Sequence, residues 1–450
     1  MKQAIRALVI GVASSIGCAL AWLYLEPSVG GLLVGVVAGW LASLAYPQLV
    51  NLLYWRKSTD TSTEAPPFSV LIVVVTTVAL TFVFIHVFQQ YTLDVETNRN
   101  ISLVDVNGPV NMRDVAYDGQ RLVAVGSFKP NGKGDAYQDA ALWEADAEEY
   151  AWTRLPHDHE LLGGVALDGG GVAHRQMNGV YAAPDEFLIV GWDTAPTGKT
   201  HGQVWKLPSN SNKIQRAEDS NYPDARFFSD YDSHDSTEIL IGGDQENAVI
   251  WRREAHREWV AESLGPNDSV QLDSVKYQQG LWSVTGSDRS TDSDNKRDAA
   301  VWTSSNGAAP WTKADGMSGI PGSQTVTGVC YSHGLWVAVG EDTAADVRAI
   351  DAAIWVSDDA QHWRRFADRS LSAVKEIQQM NGLVVAGDHL IAVGTEVPDD
   401  GTGGEASSNE DALTGQEKTR ANAVWRINFT RSSGFRSVSN RVNELMSMFK

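Results

Sequence analysis

Two short runs of the sequence hold residue types at spacings that could do chemistry. His157 and His159 are one residue apart, and two imidazoles so placed can share a metal ion. Asp292, Asp294 and Asp298 alternate with polar residues, as the oxygen ligands of calcium loops do. The aspartate run lacks the glycine and the terminal glutamate of an EF-hand loop. We interpret the histidines as part of a solvated loop and the aspartates as exposed acid between strands.

The other common signatures of catalysis are missing from the sequence. It has no glycine-rich phosphate loop, no Cys/His zinc spacing and no Gly-x-Ser-x-Gly elbow. Carboxylate pairs suited to glycoside hydrolysis cannot be singled out by sequence, because Asp and Glu together number 56. The sequence therefore assigns no catalytic, cofactor-binding or metal-binding residue.

An internal repeat determines the elements that must position any site. Each copy has an apolar run that ends in glycine, a polar loop, an apolar segment with a tryptophan and, in most copies, a second tryptophan. The clearest copy runs from Gly328 to Phe366. The repeated glycines are Gly126, Gly191, Gly242, Gly286, Gly340 and Gly394. The first tryptophans are Trp143, Trp205, Trp251, Trp302, Trp355 and Trp425, and the second are Trp152, Trp259, Trp311 and Trp363.

Each copy reads as four short strands, with the glycine at the end of one strand and the tryptophans packed between neighbouring sheets. Six such copies predict an all-β propeller of six four-stranded blades over residues 110–430. The last copy lacks an outer strand, and Ile101 to Val106 alternates as a strand does. We therefore expect the linker 91–109 to supply an N-terminal strand that closes the ring. The long loop from Pro398 to Arg420 reads as an insertion.

One hairpin of the repeat resembles a known motif. The run from Trp355 through Ser357, Asp358 and Asp359 to Trp363 resembles the Asp-box hairpin of sialidase-like propellers, and Trp302 to Trp311 is a looser version. The chain thus resembles sialidase-like repeat proteins of unknown function that are common in actinobacteria. Asp boxes are structural in that family. The resemblance implies the propeller fold but no catalytic residue, because the Arg-Ile-Pro element that carries the first sialidase arginine is absent.

The first 90 residues read as a membrane anchor. Three apolar stretches, at about 7–25, 29–53 and 68–88, are each long enough to cross a bilayer. Their flanking lysines and arginines predict a multi-pass plasma-membrane protein with a cytoplasmic N-terminus and the propeller outside. Small residues at a four-residue spacing, Gly31, Gly35 and Gly39, favour association between transmembrane helices. With Cys18 in such a stretch, no disulfide to Cys330 is expected.

The remaining features concern partners. A net charge of -20 disfavours nucleic acids and favours neutral or cationic partners. Residues 431–450 have the spacing of an amphipathic helix. The main functional hypothesis is an extracytoplasmic scaffold or binding module for a protein or glycan partner. The alternative is an exported glycan-active hydrolase or lyase with its site on the axial face, which would require carboxylates, arginines and a tyrosine to converge there.

Overall fold

The computed structural model describes most of the region that the sequence predicts to be a propeller. The described residues are 91–98, 110–128, 138–146, 151–163, 174–195, 197–218, 221–255, 257–289, 296–317, 322–343, 350–366, 371, 377–397 and 421–431. They contain 24 named strands and a one-turn helix, α1 (His159–Leu162).

The strands form six groups of four, here called modules, in which strands that follow one another along the chain pair antiparallel. Module 1 has β2 (Val110–Tyr117), β3 (Arg121–Phe128), β4 (Asp139–Asp146) and β5 (Thr153–Arg154). Module 2 has β6 (Arg175–Ala182), β7 (Glu186–Thr194), β8 (Thr200–Pro208) and β9 (Gln215–Arg216). Module 3 has β10 (Phe227–His234), β11 (Thr237–Gly243), β12 (Asn247–Glu254) and β13 (Val260–Pro266).

The other three modules follow in chain order. Module 4 has β14 (Val270–Gln278), β15 (Leu281–Asp288), β16 (Asp298–Ser304) and β17 (Thr312–Lys313). Module 5 has β18 (Ser323–Ser332), β19 (Leu335–Thr343), β20 (Ile350–Ser357) and β21 (Arg364–Phe366). Module 6 has β22 (Ile377–Ala386), β23 (His389–Val397), β24 (Ala421–Arg431) and β1 (Tyr91–Asn98). One parallel bridge, between Ile350 and Ile377, joins modules 5 and 6 into an eight-stranded sheet.

Neighbouring modules share their hydrophobic cores. One cluster combines residues of modules 1 and 2, and others combine modules 2 and 3, 3 and 4, and 4 and 5. A further cluster packs Met112 and Trp143 of module 1 against Ile391 and Val424 of module 6. Since the first module packs on the last, and the Met112 amide donates to Asn422 Oδ1 at 3.1 Å, the sheets are arranged around a ring. The predicted all-β propeller is confirmed.

The repeated tryptophans pack as predicted. All six first tryptophans lie on the third strand of a module and are at most 6% exposed. Trp152 and Trp363 are also buried, while Trp259 and Trp311 pack half-buried against their clusters. The large aromatic side chains of the third strands supply much of the apolar area that neighbouring sheets bury. These residues are explained by the fold.

The repeated glycines do not end their strands, so that part of the prediction is wrong. Gly126, for example, is followed by two more residues of β3. A Cβ atom at any of the six glycines would lie 1.9–2.2 Å from a carbonyl oxygen of the first strand in the same module. Glycine is therefore required for close backbone approach in the middle of the sheet.

The Asp-box-like hairpin between β20 and β21 is a structural element. Asp359 Oδ1 accepts hydrogen bonds from the amides of Gln361 and His362, both at 2.9 Å. Trp363 is buried, and its indole N–H donates to the Ala360 carbonyl at 3.0 Å. The turn thus holds the tryptophan between modules 4 and 5, as the resemblance implies.

The strand that completes module 6 is β1, which pairs with β24. It is supplied by the 91–109 linker, as expected, but it lies at Tyr91–Asn98 and not at the predicted Ile101 to Val106, which falls outside the described residues. The three predicted spans, Gly31, Gly35 and Gly39, and the insertion from Pro398 to Arg420 also lie outside them. The same is true of the predicted terminal helix, except that Arg431 ends β24.

The predicted plasma-membrane location requires correction. In the portion of the chain that the structure describes, no helix is long and apolar enough to cross a membrane. The helix α1 has only four residues. We therefore withdraw the predicted location and use it in no proposal below.

Candidate functional site

Every module carries a β-bulge at the same place in its first strand. The pairing of the first two strands shifts by one residue there, so that one residue of the first strand is extra. The extra residues are Arg113, Asn178, Ser229, Asp273, Thr327 and Asn381. All six are polar. The bulge lies opposite the repeated glycine of the second strand, which explains why the backbones approach so closely there.

The six bulged residues line one pocket. Its cavity volume is about 520 Å³, in the range of small-molecule sites. The walls also include two half-buried aromatic side chains, Trp192 and Phe227, and the exposed Arg226. Since each module contributes its bulged residue, the pocket lies where the first strands of all modules meet, on the axis of the propeller.

Three of the bulged residues tie neighbouring modules together. Asn178 Nδ2 donates to the Phe228 carbonyl of the next module at 2.7 Å. Thr327 Oγ1 donates to the Met380 carbonyl at 2.6 Å, and Asn381 Nδ2 to the Met112 carbonyl at 2.8 Å. These side chains satisfy backbone groups at the axis, so their polarity has a structural cause.

Asp273 has a different environment. Its carboxylate accepts from Gln271 Nε2 at 2.8 Å and 3.1 Å, and the residue is half-buried in the pocket wall. Burial raises the pKa of Asp273 to about 6, against the lowering effects of the Gln271 hydrogen bond and of Arg113 and Arg297. A carboxyl group with this pKa exchanges its proton near neutral pH, as general acids do.

A second carboxylate lies close to Asp273. The negative charge of Glu341, on β19 of module 5, contributes to the raised pKa of Asp273. Glu341 Oε2 accepts from Gln379 Nε2 at 2.6 Å. Asp273 thus lines the pocket together with Arg113 and Arg226, and Glu341 of the neighbouring module acts on it through its charge. No tyrosine is found among the described residues that line it.

The same first strands carry a second polar group beside the pocket. Lys276 Nζ lies 3.0 Å from Asp230 Oδ2, and the side chains are 16% and 1% exposed. Burial lowers the pKa of Lys276, but Asp230, Asp114 and Asp232 raise it by more, so that the ammonium group stays charged. Burial raises the pKa of both Asp114 and Asp232 to about 7, although Lys276 opposes this.

These three aspartates also bind backbone amides. Asp114 Oδ2 accepts from the Val180 amide of module 2 at 2.9 Å. Asp230 Oδ2 accepts from the Val275 amide at 2.9 Å, and Asp232 Oδ2 from the Tyr277 amide at 2.5 Å, both in module 4. Since the first strand of each module has a free edge at the axis, these carboxylates satisfy amides that no further strand can pair. We call Asp114, Asp230, Asp232 and Lys276 the axial charge cluster.

The histidine run is not the solvated loop that the sequence predicted. His157 is half-buried, with Nε2 3.3 Å from Asp139 Oδ2 and its ring edge-on to Phe128 at a centroid distance of 5.3 Å. The cause is local, because the Leu155 amide donates to the Leu142 carbonyl and holds the chain after β5 against β4. His159 begins α1. The side chain of His159 lies outside the described residues.

The predicted acidic loop is only partly described, since Asp292 and Asp294 lie outside the described residues. Asp298 is the first residue of β16 and is buried, so the prediction of exposed acid is wrong at that position. It pairs with Asp288 across the sheet, where strand formation removes it from water. In the residues that the structure describes, no group of three His, Cys, Asp or Glu side chains is placed to hold a metal ion.

The pocket residues were missed because their signal is a spacing and not a motif. Each bulged residue lies 13 positions before a repeated glycine, in all six copies. The glycines were visible in the sequence, but they were interpreted as strand ends. Had they been interpreted as sites of close backbone contact, the same spacing would have indicated Asp273 and Arg113.

Comparisons with known proteins assign no activity to the chain. No protein-family model matches the chain, and no curated protein matches it significantly. Among solved structures, it is similar to a mutant sialidase of Trypanosoma rangeli that displays trans-sialidase activity, with 8% identity and a TM-score of 0.49. That match covers 74% of this chain and 58% of the sialidase, so the chain spans less than two thirds of its length.

Two fungal enzymes are also similar in structure. An α-L-arabinofuranosidase of Fusarium graminearum has 10% identity and a TM-score of 0.45, with 73% of this chain and 97% of the enzyme covered. An α-L-arabinanase of Penicillium chrysogenum has 10% identity and a TM-score of 0.41, with 71% and 98% covered.

Proposed function

We propose that the six modules are the six blades of one closed propeller and that the axial pocket hydrolyses a glycosidic bond. One observation carries this proposal: the bulge of module 4 holds Asp273 in the pocket wall with a pKa of about 6, close to a second carboxylate and to arginines. Of the groups that the glycan-active alternative required, Asp273, Arg113 and Arg226 line the pocket.

The chemistry follows from the two carboxylates. Glycoside hydrolysis commonly uses one carboxylic acid to protonate the leaving oxygen and one carboxylate as base or nucleophile. Asp273 is the general acid in this proposal, because its raised pKa keeps a fraction of it protonated near pH 6. Glu341 is the second carboxylate, since its charge acts on Asp273. The glycosidic C–O bond breaks as the leaving oxygen takes the Asp273 proton, and water bonds to the sugar carbon as Glu341 takes a proton from that water.

Other residues of the wall are suited to sugar binding. Trp192 and Phe227 offer ring faces to the apolar faces of a sugar. Arg113 and Arg226 carry guanidinium groups, which would favour sugars that carry a carboxylate. These positive charges line the pocket although the net charge of the whole protein is -20. We therefore expect acidic glycans to be better ligands than neutral glycans of the same size.

The test is turnover of a panel of neutral and acidic aryl glycosides and oligosaccharides by the purified full chain. Substitution Asp273→Asn should abolish hydrolysis of whichever substrate is cleaved. Asp185→Asn is the control, because Asp185 is an exposed carboxylate in the hairpin between β6 and β7. Equal activity of the Asp273→Asn variant and the wild type would overturn the proposal.

A binding module for a glycan partner is the second candidate. The lack of a tyrosine among the described lining residues, together with the two aromatic side chains in the wall, favours recognition without turnover. In that case calorimetry would detect binding of a glycan that the protein does not hydrolyse. Asp273→Asn would change the affinity for that glycan, and neither the variant nor the wild type would cleave it.

A further inference from the structure

Three modules carry a glutamine two residues before the bulged residue. These are Gln176 in module 2, Gln271 in module 4 and Gln379 in module 6, so the glutamines occupy alternate modules around the axis. The equivalent residues of modules 1, 3 and 5 are Asn111, Phe227 and Thr325. Each glutamine amide N–H group points to an acceptor at the pocket, and each amide oxygen accepts from a neighbouring donor.

Gln271 shows the clearest case. Its Oε1 accepts from Arg297 Nη1 at 3.0 Å, and Arg297 Nη1 also lies 3.2 Å from Ser287 Oγ. A guanidinium group can only donate, so the amide oxygen must face Arg297 and the NH₂ group must face Asp273. The hydrogen bond from Arg297 therefore determines which end of the Gln271 amide faces Asp273.

Gln379 repeats the arrangement at the second carboxylate. Its Nε2 donates to Glu341 Oε2 at 2.6 Å, and its Oε1 accepts from Thr395 Oγ1 at 3.2 Å. An ionised carboxylate can only accept, which again fixes the amide with its NH₂ group toward Glu341. The two carboxylates are thus each held by a glutamine from the first strand of a module.

Gln176 makes the same pair of hydrogen bonds, but its acceptor is an amide and not a carboxylate. Its Nε2 donates to Asn178 Oδ1 at 2.6 Å, and its Oε1 accepts from Gln138 Nε2 at 3.1 Å. Because Asn178 is uncharged and is tied to module 3, a change at Gln176 should alter packing without altering the charge state of the pocket. Gln176 is therefore a matched control.

We propose that Gln271 and Gln379 are positioning residues that orient Asp273 in the pocket wall and Glu341 of module 5, and that Arg297 fixes the Gln271 amide. This inference rests on the proposed function for its catalytic meaning, since it assigns the groups that hold the general acid Asp273 and its partner Glu341. A hydrogen bond from an amide stabilises the ionised form of a carboxyl group, so Gln271 determines the pH at which Asp273 holds its proton.

The first experiment measures the titration of Asp273 in the full chain without any substrate. Carbon-13 NMR of aspartate-labelled protein follows the carboxyl resonance, which is assigned by its loss in Asp273→Asn. Replacement Gln271→Leu should raise the midpoint by about 1 pH unit, because the donor that favours the charged form is removed. Arg297→Gln should raise the Asp273 midpoint as well. Arg297→Lys, which keeps the positive charge, should raise that midpoint much less.

The control for this titration is Gln176→Leu, which should leave the Asp273 midpoint within about 0.2 pH units of the wild type. If Gln271 has only a structural role, Gln271→Leu will leave the Asp273 midpoint unchanged, as Gln176→Leu does. That result would overturn the proposal.

The second experiment separates this inference from the proposed function. Where the wild type cleaves a glycoside, the basic limb of its kcat/KM profile should move upward in Gln271→Leu by the same amount as the NMR midpoint. If no glycoside is cleaved but the NMR midpoint moves, the hydrolase proposal fails and the orienting role of Gln271 stands. If cleavage is found and neither the midpoint nor the basic limb moves, the orienting role fails alone.

Discussion

Two adjacent layers of the same first strands both contain carboxyl groups with raised pKa values, yet they differ in what surrounds them. In the axial charge cluster, Asp114 and Asp232 accept from backbone amides of other residues in the ring, and Lys276 lies among the acids. In the pocket layer, Asp273 faces a cavity, and its nearest donor is a glutamine side chain. Burial is the main cause of the raised pKa in both layers.

The difference teaches that a raised pKa does not by itself mark a functional carboxylate. The cluster acids satisfy strand edges that would otherwise be unpaired at the axis, which is a structural task. Asp273 satisfies no backbone amide that the structure records, and its carboxylate borders space large enough for a sugar. Accessibility to a ligand, and not the pKa, separates the two layers.

The largest expected effect comes from removing the cation of the cluster. Lys276→Met leaves buried carboxylates without their counter-charge, and we expect a loss of about 3–5 kcal/mol in the free energy of unfolding at pH 8. Urea denaturation measures it. Lys206→Met is the control, because Lys206 pairs with Glu186 at 2.8 Å on the surface and should cost less than about 1 kcal/mol. Equal losses would show that the cluster is not a buried ionic group.

The cluster should also make stability depend on pH. Between the unfolded pKa of 3.8 and the folded pKa of about 7, Asp114 and Asp232 bind more protons in the folded chain than in the unfolded chain. The stabilising contribution of these groups is therefore fully present below about pH 4, falls as the pH rises from about 4 to about 7, and is lost above about pH 8. Between pH 5 and pH 8 the loss is on the order of 2 kcal/mol for each carboxyl group. Thermal melts at pH 5 and pH 8 measure the change.

The control for the pH effect is the double variant Asp114→Asn with Asp232→Asn. Asparagine keeps an oxygen that can accept from the Val180 and Tyr277 amides, so the fold should survive the change. Its melting temperature should vary less between pH 5 and pH 8 than that of the wild type. Parallel curves for the two proteins would contradict the assignment of the pH effect to this cluster.

A smaller effect is expected from the glycine opposite the bulge of module 4. In Gly286→Ala the new Cβ would lie 1.9 Å from the Gln271 carbonyl oxygen, so the bulge must shift, at a cost of roughly 1–3 kcal/mol. Gly191→Ala creates a similar contact, at 2.0 Å, with the Gln176 carbonyl oxygen in module 2. Both variants should lose similar stability in urea, but only Gly286→Ala should shift the NMR titration of Asp273. A shift of the Asp273 midpoint in both variants, or in neither, would contradict the claim that the bulge of module 4 positions Asp273 in the pocket.

The fold class could be predicted because short patterns within each repeat indicate it. Alternating apolar residues, turn residues and paired tryptophans recur in every copy, and each needs only its own module to be recognised. The burial of Trp143 and Trp355 followed directly from such patterns. The position of β1 did not, because the linker contains two stretches that can form a strand and only pairing with β24 decides between them.

The site could not be predicted in the same way, because its properties arise between modules. The pKa of Asp273 depends on Arg113 of module 1 and Glu341 of module 5, which are far from it in sequence. His157, in contrast, owes its burial to Phe128 and Asp139 of its own module, so its environment is local. One part of the site is local, namely the constant spacing between the bulged residue and the repeated glycine. That spacing is present in the sequence, but the prediction explains the glycines as strand ends and not as sites of close backbone approach.

The pH dependence of glycoside hydrolysis tests the central claim most directly. The claim is that the bulge of module 4 presents Asp273 as a general acid with a pKa of about 6. It predicts that kcat/KM of the wild-type full chain falls above about pH 6, and that Asp273→Asn lowers kcat/KM at pH 5 by about 100-fold or more while Asp185→Asn does not. Wild-type activity in Asp273→Asn, or a basic limb unchanged by that substitution, would contradict it.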